Sequence, residues 1–126
     1  MAADDYVIDS VVIIDHLNGH GRATAFLGAT AGRAHITAVT MAEVLAGYDP
    51  GPSRDSVEKL LQRFPLIVVD GDVANLAATL RRSNRWKLPD ALQAAAAVSR
   101  GHRLVTRNTK DFPPSAYNWV HVPYEL

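Results

Sequence analysis

The sequence predicts an α/β fold, with a mostly parallel sheet carrying helices on both faces. Three observations lead there. Short apolar runs of strand length alternate along the chain with longer stretches of helical periodicity. One run, Leu66-Ile-Val-Val69, is apolar at every position, the pattern of a strand covered on both sides. The chain has 126 residues and 48% hydrophobic content, enough for one core and too little for two ordinary domains. The expectation is a single domain over residues 1–126.

Tyr6-Val-Ile-Asp9 reads as the first strand, and residues 10–17 stay too apolar for a loop, so a helix follows, ended by Gly19 and Gly21. Residues 23–31 form a short helix of small side chains, and His35-Ile-Thr37 a second strand. Residues 38–48 are helical. Asp49-Pro-Gly-Pro52 makes a turn, and residues 53–63 an amphipathic helix with Val57, Leu60, Leu61 and Phe64 on one face. Pro65 closes that helix, and 66–69 is the third strand. Helices are expected over 72–84 and over the alanine-rich 89–100, the latter opened by proline and closed by Gly101. Arg103-Leu-Val-Thr106 is a fourth strand and Trp119-Val-His121 a fifth at the sheet edge. No internal repeat or long linker divides the chain.

Charge is uneven although it sums to zero. Residues 1–80 hold five bases against ten acids, while 81–110 hold eight (Arg81, Arg82, Arg85, Lys87, Arg100, Arg103, Arg107, Lys110) against Asp90 alone. That stretch suits an anionic partner, although any single arginine there is more simply a solvated helix residue. The absence of cysteine removes disulfides, thiolate nucleophiles and sulfur-ligated metals, leaving oxygen and imidazole as possible ligands. The N-terminal MAADDYVID has acids where a secretory leader has bases, and no apolar stretch approaches membrane-spanning length. A cytoplasmic protein with no membrane partner is expected.

Ligands of an open parallel sheet collect beyond the carboxyl ends of its strands, so acids there are the candidates for chemistry. Asp9 and Asp70 end strands, Asp90 opens the alanine-rich helix, and Asn108 and Asp111 follow the fourth strand. Glu43 is an acid among apolar neighbours on a helix that otherwise looks buried. Each has a purely structural alternative. Asp9 is placed to N-cap a helix, Asp90 to sit at the favourable end of a helix dipole, and Thr40-x-x-Glu43 has capping-box spacing. Asp111 fits a turn, and Asp70 with Asp72 a turn and an N-cap. Spacing alone leaves these open. Were the acids to converge, a hard divalent cation such as Mg²⁺ or Mn²⁺ would have to neutralise them. Such an ion polarises a phosphodiester and acidifies a bound water, which is nuclease chemistry.

Taken together, YVIDSVVIIDHL, ITAVTMAEVLAG, LPDALQAAAAVSRG and LVTRNTKDF, in that order over nearly the whole chain, resemble the PIN-domain family. More narrowly the chain is similar to the VapC-type toxins of toxin–antitoxin pairs. The resemblance implies a PIN-like three-layer α/β/α sandwich and a Mg²⁺- or Mn²⁺-dependent endoribonuclease that leaves a 5′-phosphate. It carries the family's metal-ligating acids onto Asp9, Glu43, Asp90 and Asp111. Asp9 and Asp90 are expected as direct ligands, Glu43 and Asp111 as ligands partly through water, and Ser10, Thr106 and Asn108 as supports. Asn108 stands where many PIN domains have an acid. Asp15 is left as a surface or supporting residue, and Asp70 and Asp72 drop out. The resemblance also implies RNA as substrate, a homodimer, and a VapB-type antitoxin forming a hetero-oligomer, with a basic C-terminal segment entering the acidic groove.

Other chemistries fit less well. His16 and His20 have zinc-pair spacing, but glycines interrupt the helix there and no HExxH accompanies them, so they are expected at the surface. GxSxG, GxGxxG after the first strand and GxxxxGK are all missing. A phospho-acceptor receiver domain would place paired acids after the first strand, whereas Asp4 and Asp5 precede it. The alternative of a different class is a non-catalytic PIN-fold module that binds RNA or protein.

Overall fold

In a computed structural model that describes residues 5–126, the fold is the expected one. The acidic segment 1–4, which carries part of the leader reading, lies outside the described residues. Five strands, β1 (Tyr6–Ile8), β2 (Ala34–Thr37), β3 (Leu66–Ile67), β4 (Arg103–Val105) and β5 (Val120–His121), form one sheet in the order β3-β2-β1-β4-β5. Every pairing is parallel. No helix among the described residues is long and apolar enough to cross a membrane.

Four helices, α1 (Ser10–Leu17), α2 (Gly21–Ala29), α3 (Ala38–Leu45) and α4 (Pro52–Leu61), connect β1 to β2 and β2 to β3. Their apolar residues pack on the sheet face that carries Ile8, Ile36 and Val105. The opposite face, with Val7 and Leu104, is covered by α5 (Gly71–Asn84) and α6 (Leu88–Arg100). Ala94, Ala95, Ala96 and Ala97 are fully buried, so this helix has protein on nearly every side. Alanine serves here twice, as the best helix former and as a side chain small enough to let the helix lie close to sheet and neighbour. Val7, Ile8, Leu104 and Val105 at the sheet centre are also fully buried, each removal from water contributing about 1.5–3 kcal/mol.

The chain winds outward from β1 to β3, then crosses back over β2 and β1 to enter β4. The order therefore reverses between β1 and β4, and the loops leaving their carboxyl ends diverge and open a crevice. Asp9 follows β1 directly, and Thr106 to Asp111 follow β4.

Several local expectations change. The third strand is two residues long and is not covered on both sides: Leu66 is 47% and Val68 62% exposed. It lies at the sheet edge with β2 as its partner, so its apolar run has one side open. Gly21 starts α2 rather than ending α1, whose cap is Asn18 followed by Gly19 at φ +85°. α3 stops at Leu45, three residues early. Asp70 is the N-cap of α5, its carboxylate accepting from Val73 N–H at 3.0 Å, with Asp72 in the first turn.

Candidate active site

Asp9 is the buried member of the acid set, with 8% of its surface exposed. Strand β1 ends one residue before it, and it N-caps α1, its Oδ1 accepting from Ser10 N–H at 2.8 Å. The structural and chemical readings of this residue are thus compatible. Its other oxygen accepts from the Thr106 hydroxyl at 2.7 Å, a bond across the β1/β4 reversal. Burial pushes the Asp9 carboxyl above its usual range, against the opposing pull of Thr106, Ser10 and Gln93.

Glu43 stands in the last turn of α3. The capping-box reading fails because the helix starts earlier: Thr37 is the N-cap, accepting from Thr40 N–H at 3.1 Å. The surrounding segment is also less buried than its composition suggested, with Thr40 and Val44 inside and Glu43 exposed. Partial desolvation raises the Glu43 carboxyl, Asp9 and Asp90 raise it further, and the Ser10 hydroxyl opposes them by hydrogen bonding. Asp90, half-buried in the first turn of α6, is raised by desolvation, then by Asp9 and Asp111, while Lys87 lowers it. The four acids therefore form one electrostatically coupled group, brought together from the ends of β1 and β4 and from α3 and α6.

Asp111 is set by its loop. Asn108 spans it with both ends of its amide: Nδ2 donates to Asp111 Oδ2 at 3.0 Å, and Oδ1 accepts from Asp111 N–H at 3.3 Å. The Thr106 hydroxyl accepts from Asn108 N–H at 3.0 Å, so one side chain holds both Asp9 and the turn that carries Asp111. Below the turn, Phe112 and Trp86 are buried, their ring centroids 4.7 Å apart, and Trp86 Nε1 donates to the Asp111 carbonyl at 3.1 Å. What looked like an ordinary Asp-Phe-Pro-Pro turn is anchored in the core.

Thr106→Val keeps the shape and removes the hydroxyl that serves both Asp9 and Asn108. A buried carboxylate oxygen losing its donor costs about 1–3 kcal/mol, so the melting temperature in EDTA is expected to fall by about 4–10 °C. An unchanged melting curve would show that Thr106 does not carry this linkage.

Two groups were missed or misplaced by the sequence reading. Gln93, 1% exposed, accepts from the Thr37 hydroxyl at 2.8 Å and donates through Nε2 to Thr40 Oγ1, while the Thr40 hydroxyl donates to the Ile8 carbonyl at 3.2 Å. This network ties α3 and α6 to the end of β1 beneath Asp9. The signal for it was present, since Gln93 lies one helical turn after Asp90 as a polar residue inside an alanine run. Asp15 is not a surface residue. It is 4% exposed, and Arg107 donates to both its oxygens at 2.6 and 3.0 Å while Tyr124 adds a hydroxyl at 2.7 Å. Arg107 consequently leaves the set of solvated bases. Arg81, Arg82, Arg85, Lys87, Arg100 and Lys110 remain exposed. His16 is half-buried, its ring Nδ1 at 2.7 Å from Thr24 Oγ1, and His20 is exposed at the N-cap of α2.

The PIN-domain model matches residues 6–113. The chain belongs to the PIN-domain family. Among solved structures, this PIN domain is similar to a chain of a toxin–antitoxin complex from Klebsiella pneumoniae, at 31% identity and a TM-score of 0.89 over 97% of this chain and 100% of that one. It also matches a chain of FitAcB from Neisseria gonorrhoeae, at 22% identity and TM-score 0.77 over 96% of this chain and 99% of the other. A chain of DNA-bound VapBC from Salmonella typhimurium matches at 22% identity and TM-score 0.75, covering 87% and 91% of the two chains. The last two likenesses concern the fold. No curated protein matches the sequence.

The donor set fits a hard divalent cation. Asp9, Glu43, Asp90 and Asp111 offer oxygen alone, the preference of Mg²⁺ and Mn²⁺; desolvation raises the Asp9, Glu43 and Asp90 carboxyls, and neighbouring acids raise the latter two further. A cation between them relieves both costs.

Proposed function

We propose that this PIN domain is a VapC-type toxin, an endoribonuclease that hydrolyses RNA phosphodiester bonds with Mg²⁺ or Mn²⁺ and is held inactive by an antitoxin. The observation that carries this is the buried Asp9, fixed through both oxygens beside the β1/β4 reversal and hydrogen-bonded across it to Thr106, which also holds the turn of Asp111. Asp9 and Asp90 would hold the ion, with Glu43 and Asp111 completing its surroundings. When bound, the ion supplies Lewis-acid polarisation of the phosphodiester and acidification of water. Thr106 and Asn108 fix the directions of Asp9 and Asp111, so the site is ordered before substrate arrives.

The carboxylates repel an RNA strand, and the exposed bases next to them offset that. Lys87 acts directly on Asp90, Lys110 precedes Asp111, and Arg81, Arg82 and Arg85 lead from the end of α5 into α6. Such contacts position phosphates without reading bases. The partner side is supported by the cleft beside Glu43, which is lined by Ile14, Leu17, Val44 and Tyr48. An apolar cleft with an acid at its edge suits an amphipathic basic segment, here proposed as the antitoxin's C-terminal part. A homodimer, a toxin–antitoxin hetero-oligomer and a cytoplasmic site of action belong to the same reading.

The test uses partner-free protein and end-labelled RNA. Cleavage is expected with Mn²⁺, is abolished by EDTA, and leaves 5′-phosphate ends. RNA bound but uncut in Mn²⁺ would favour the non-catalytic binding module instead.

A further inference from the structure

The amino ends of the parallel strands gather at the side of the sheet opposite the carboxylates, and three potential ligands meet there. Asp5 precedes β1, and its carbonyl accepts from Arg103 N–H at 3.1 Å, which sets His102, the residue just before β4, beside it. On the other flank, His35 in β2 is in register with Val7. Side chains of a strand alternate between faces, so Asp5 shares a face with Val7, and His102 with Leu104. Val7 and Leu104 both belong to the core under α6. The two imidazoles therefore converge on Asp5 from either side, on one face.

The contacts bear this out. His35 Nε2 lies 3.3 Å from Asp5 Oδ2. The His35 and His102 rings stack with centroids 4.9 Å apart and planes inclined by 27°. One ligand atom from each of the three residues lies within 4.8 Å of the other two.

We propose that Asp5, His35 and His102 form a second metal site, for one borderline divalent transition ion of the Zn²⁺ type, bound by two imidazole nitrogens and one carboxylate oxygen. Zinc bonds of about 2.0–2.1 Å in a tetrahedron put neighbouring ligand atoms about 3.3 Å apart, which is the Asp5–His35 separation already present. The stacked His102 ring closes the remaining distance by side-chain rotation. Three protein ligands leave one position for water, and His102 borders an open cleft lined by Gly101, Arg103, Asn118 and Trp119. Burial and the facing His35 hold His102 below its ordinary value, favouring the neutral ring that can ligate.

This site is separate from the carboxylate site in place and in chemistry. Asp5 and Asp9 are four residues apart along extended chain, about 13 Å. Imidazole selects borderline ions where all-oxygen sites select hard ones. An ion here would clasp the starts of three adjacent strands, β2, β1 and β4.

The experiment is calorimetric titration of tag-free, EDTA-dialysed full-length protein with ZnCl₂. Asp9→Asn is expected to bind one equivalent, and wild type that equivalent plus any Zn²⁺ taken by the carboxylate site. His35→Gln and His102→Gln should each weaken binding by about 100-fold or more, with circular dichroism reporting on the fold. In parallel, Zn²⁺ added to wild type should shift the imidazole resonances of His35 and His102 in NMR spectra, a readout that needs no variant to fold. No binding by wild type overturns the proposal. So does binding lost in Asp9→Asn, or Zn²⁺-induced shifts confined to His16, His20 or His121.

Discussion

Asp9→Asn is expected to lower Mn²⁺-supported RNA cleavage by about 10³-fold or more, with metal-free protein that melts no lower than wild type. The amide keeps an oxygen for Ser10 N–H and turns its NH₂ toward Thr106 Oγ1, so the frame of hydrogen bonds around residue 9 is largely retained. The charge at the centre of the four acids is lost. The stability half of this expectation follows from the direction of the pKa shifts. The Asp9, Glu43 and Asp90 carboxyls all lie above their usual values, through desolvation first and through one another for the latter two. A carboxyl raised on folding binds more protons in the folded than in the unfolded state, so stability falls as pH rises from the unfolded value through the folded one. Above that window the metal-free fold bears the full cost, and neutral pH is where removing a charge helps. Melting curves with and without Mn²⁺ separate the effects. Mn²⁺ should raise the wild-type melting temperature and leave Asp9→Asn little changed. Activity lost together with a large fall in the metal-free melting temperature would mean that Asp9 is structural.

The sheet and its layers were legible because parallel α/β architecture writes itself into alternating periodicities, and every expected strand and helix has a counterpart in the structure. Errors fell where tertiary context overrides local pattern. The run at 66–69 is apolar throughout, but a strand's coverage depends on its place in the sheet, and β3 is at the edge. Thr40 with Glu43 has capping-box spacing on paper, but the helix starts one turn earlier at Thr37, and both threonines bond Gln93 across from α6, a contact no local pattern shows. Spacing relates none of Asp9, Glu43, Asp90 and Asp111 to the others, because the loops that carry Asp9 and Asp111 become neighbours only where the strand order reverses between β1 and β4. Family resemblance nominated those acids, and the topology places two of them, Asp9 and Asp111, in the loops that flank that reversal. Asp15 and Arg107 are 92 residues apart in sequence, and no local pattern connects them.

That pair underlies the largest stability effect expected. Arg107→Met should destabilise the protein by about 3–5 kcal/mol, because it leaves a buried carboxylate without its cation while retaining most of the aliphatic packing. In a domain of this size that is a melting-temperature drop of about 10–20 °C at neutral pH. The pH dependence identifies the cause. In wild type, burial raises the Asp15 carboxyl, but the Arg107 and Tyr124 hydrogen bonds and the Arg107 charge outweigh it, and the net shift is downward. A depressed carboxyl contributes stability that is complete above its unfolded value, about 3.9, and is lost as pH falls toward the folded value. Without Arg107, the hydrogen bonds and the charge that oppose burial most are lost, so the variant lacks the share of stability that Arg107 supplies to the ionised Asp15. The gap between the two proteins should therefore be small near pH 3 and widen from about pH 4 upward. Chemical denaturation at a series of pH values measures it directly. A gap independent of pH would assign the loss to packing of the Arg107 side chain and Tyr124 rather than to the ion pair. Adding Asp15→Asn to Arg107→Met distinguishes the two again: the double variant should recover stability at neutral pH if an unpaired buried charge is the cause, because the amide carries none to leave unpaired.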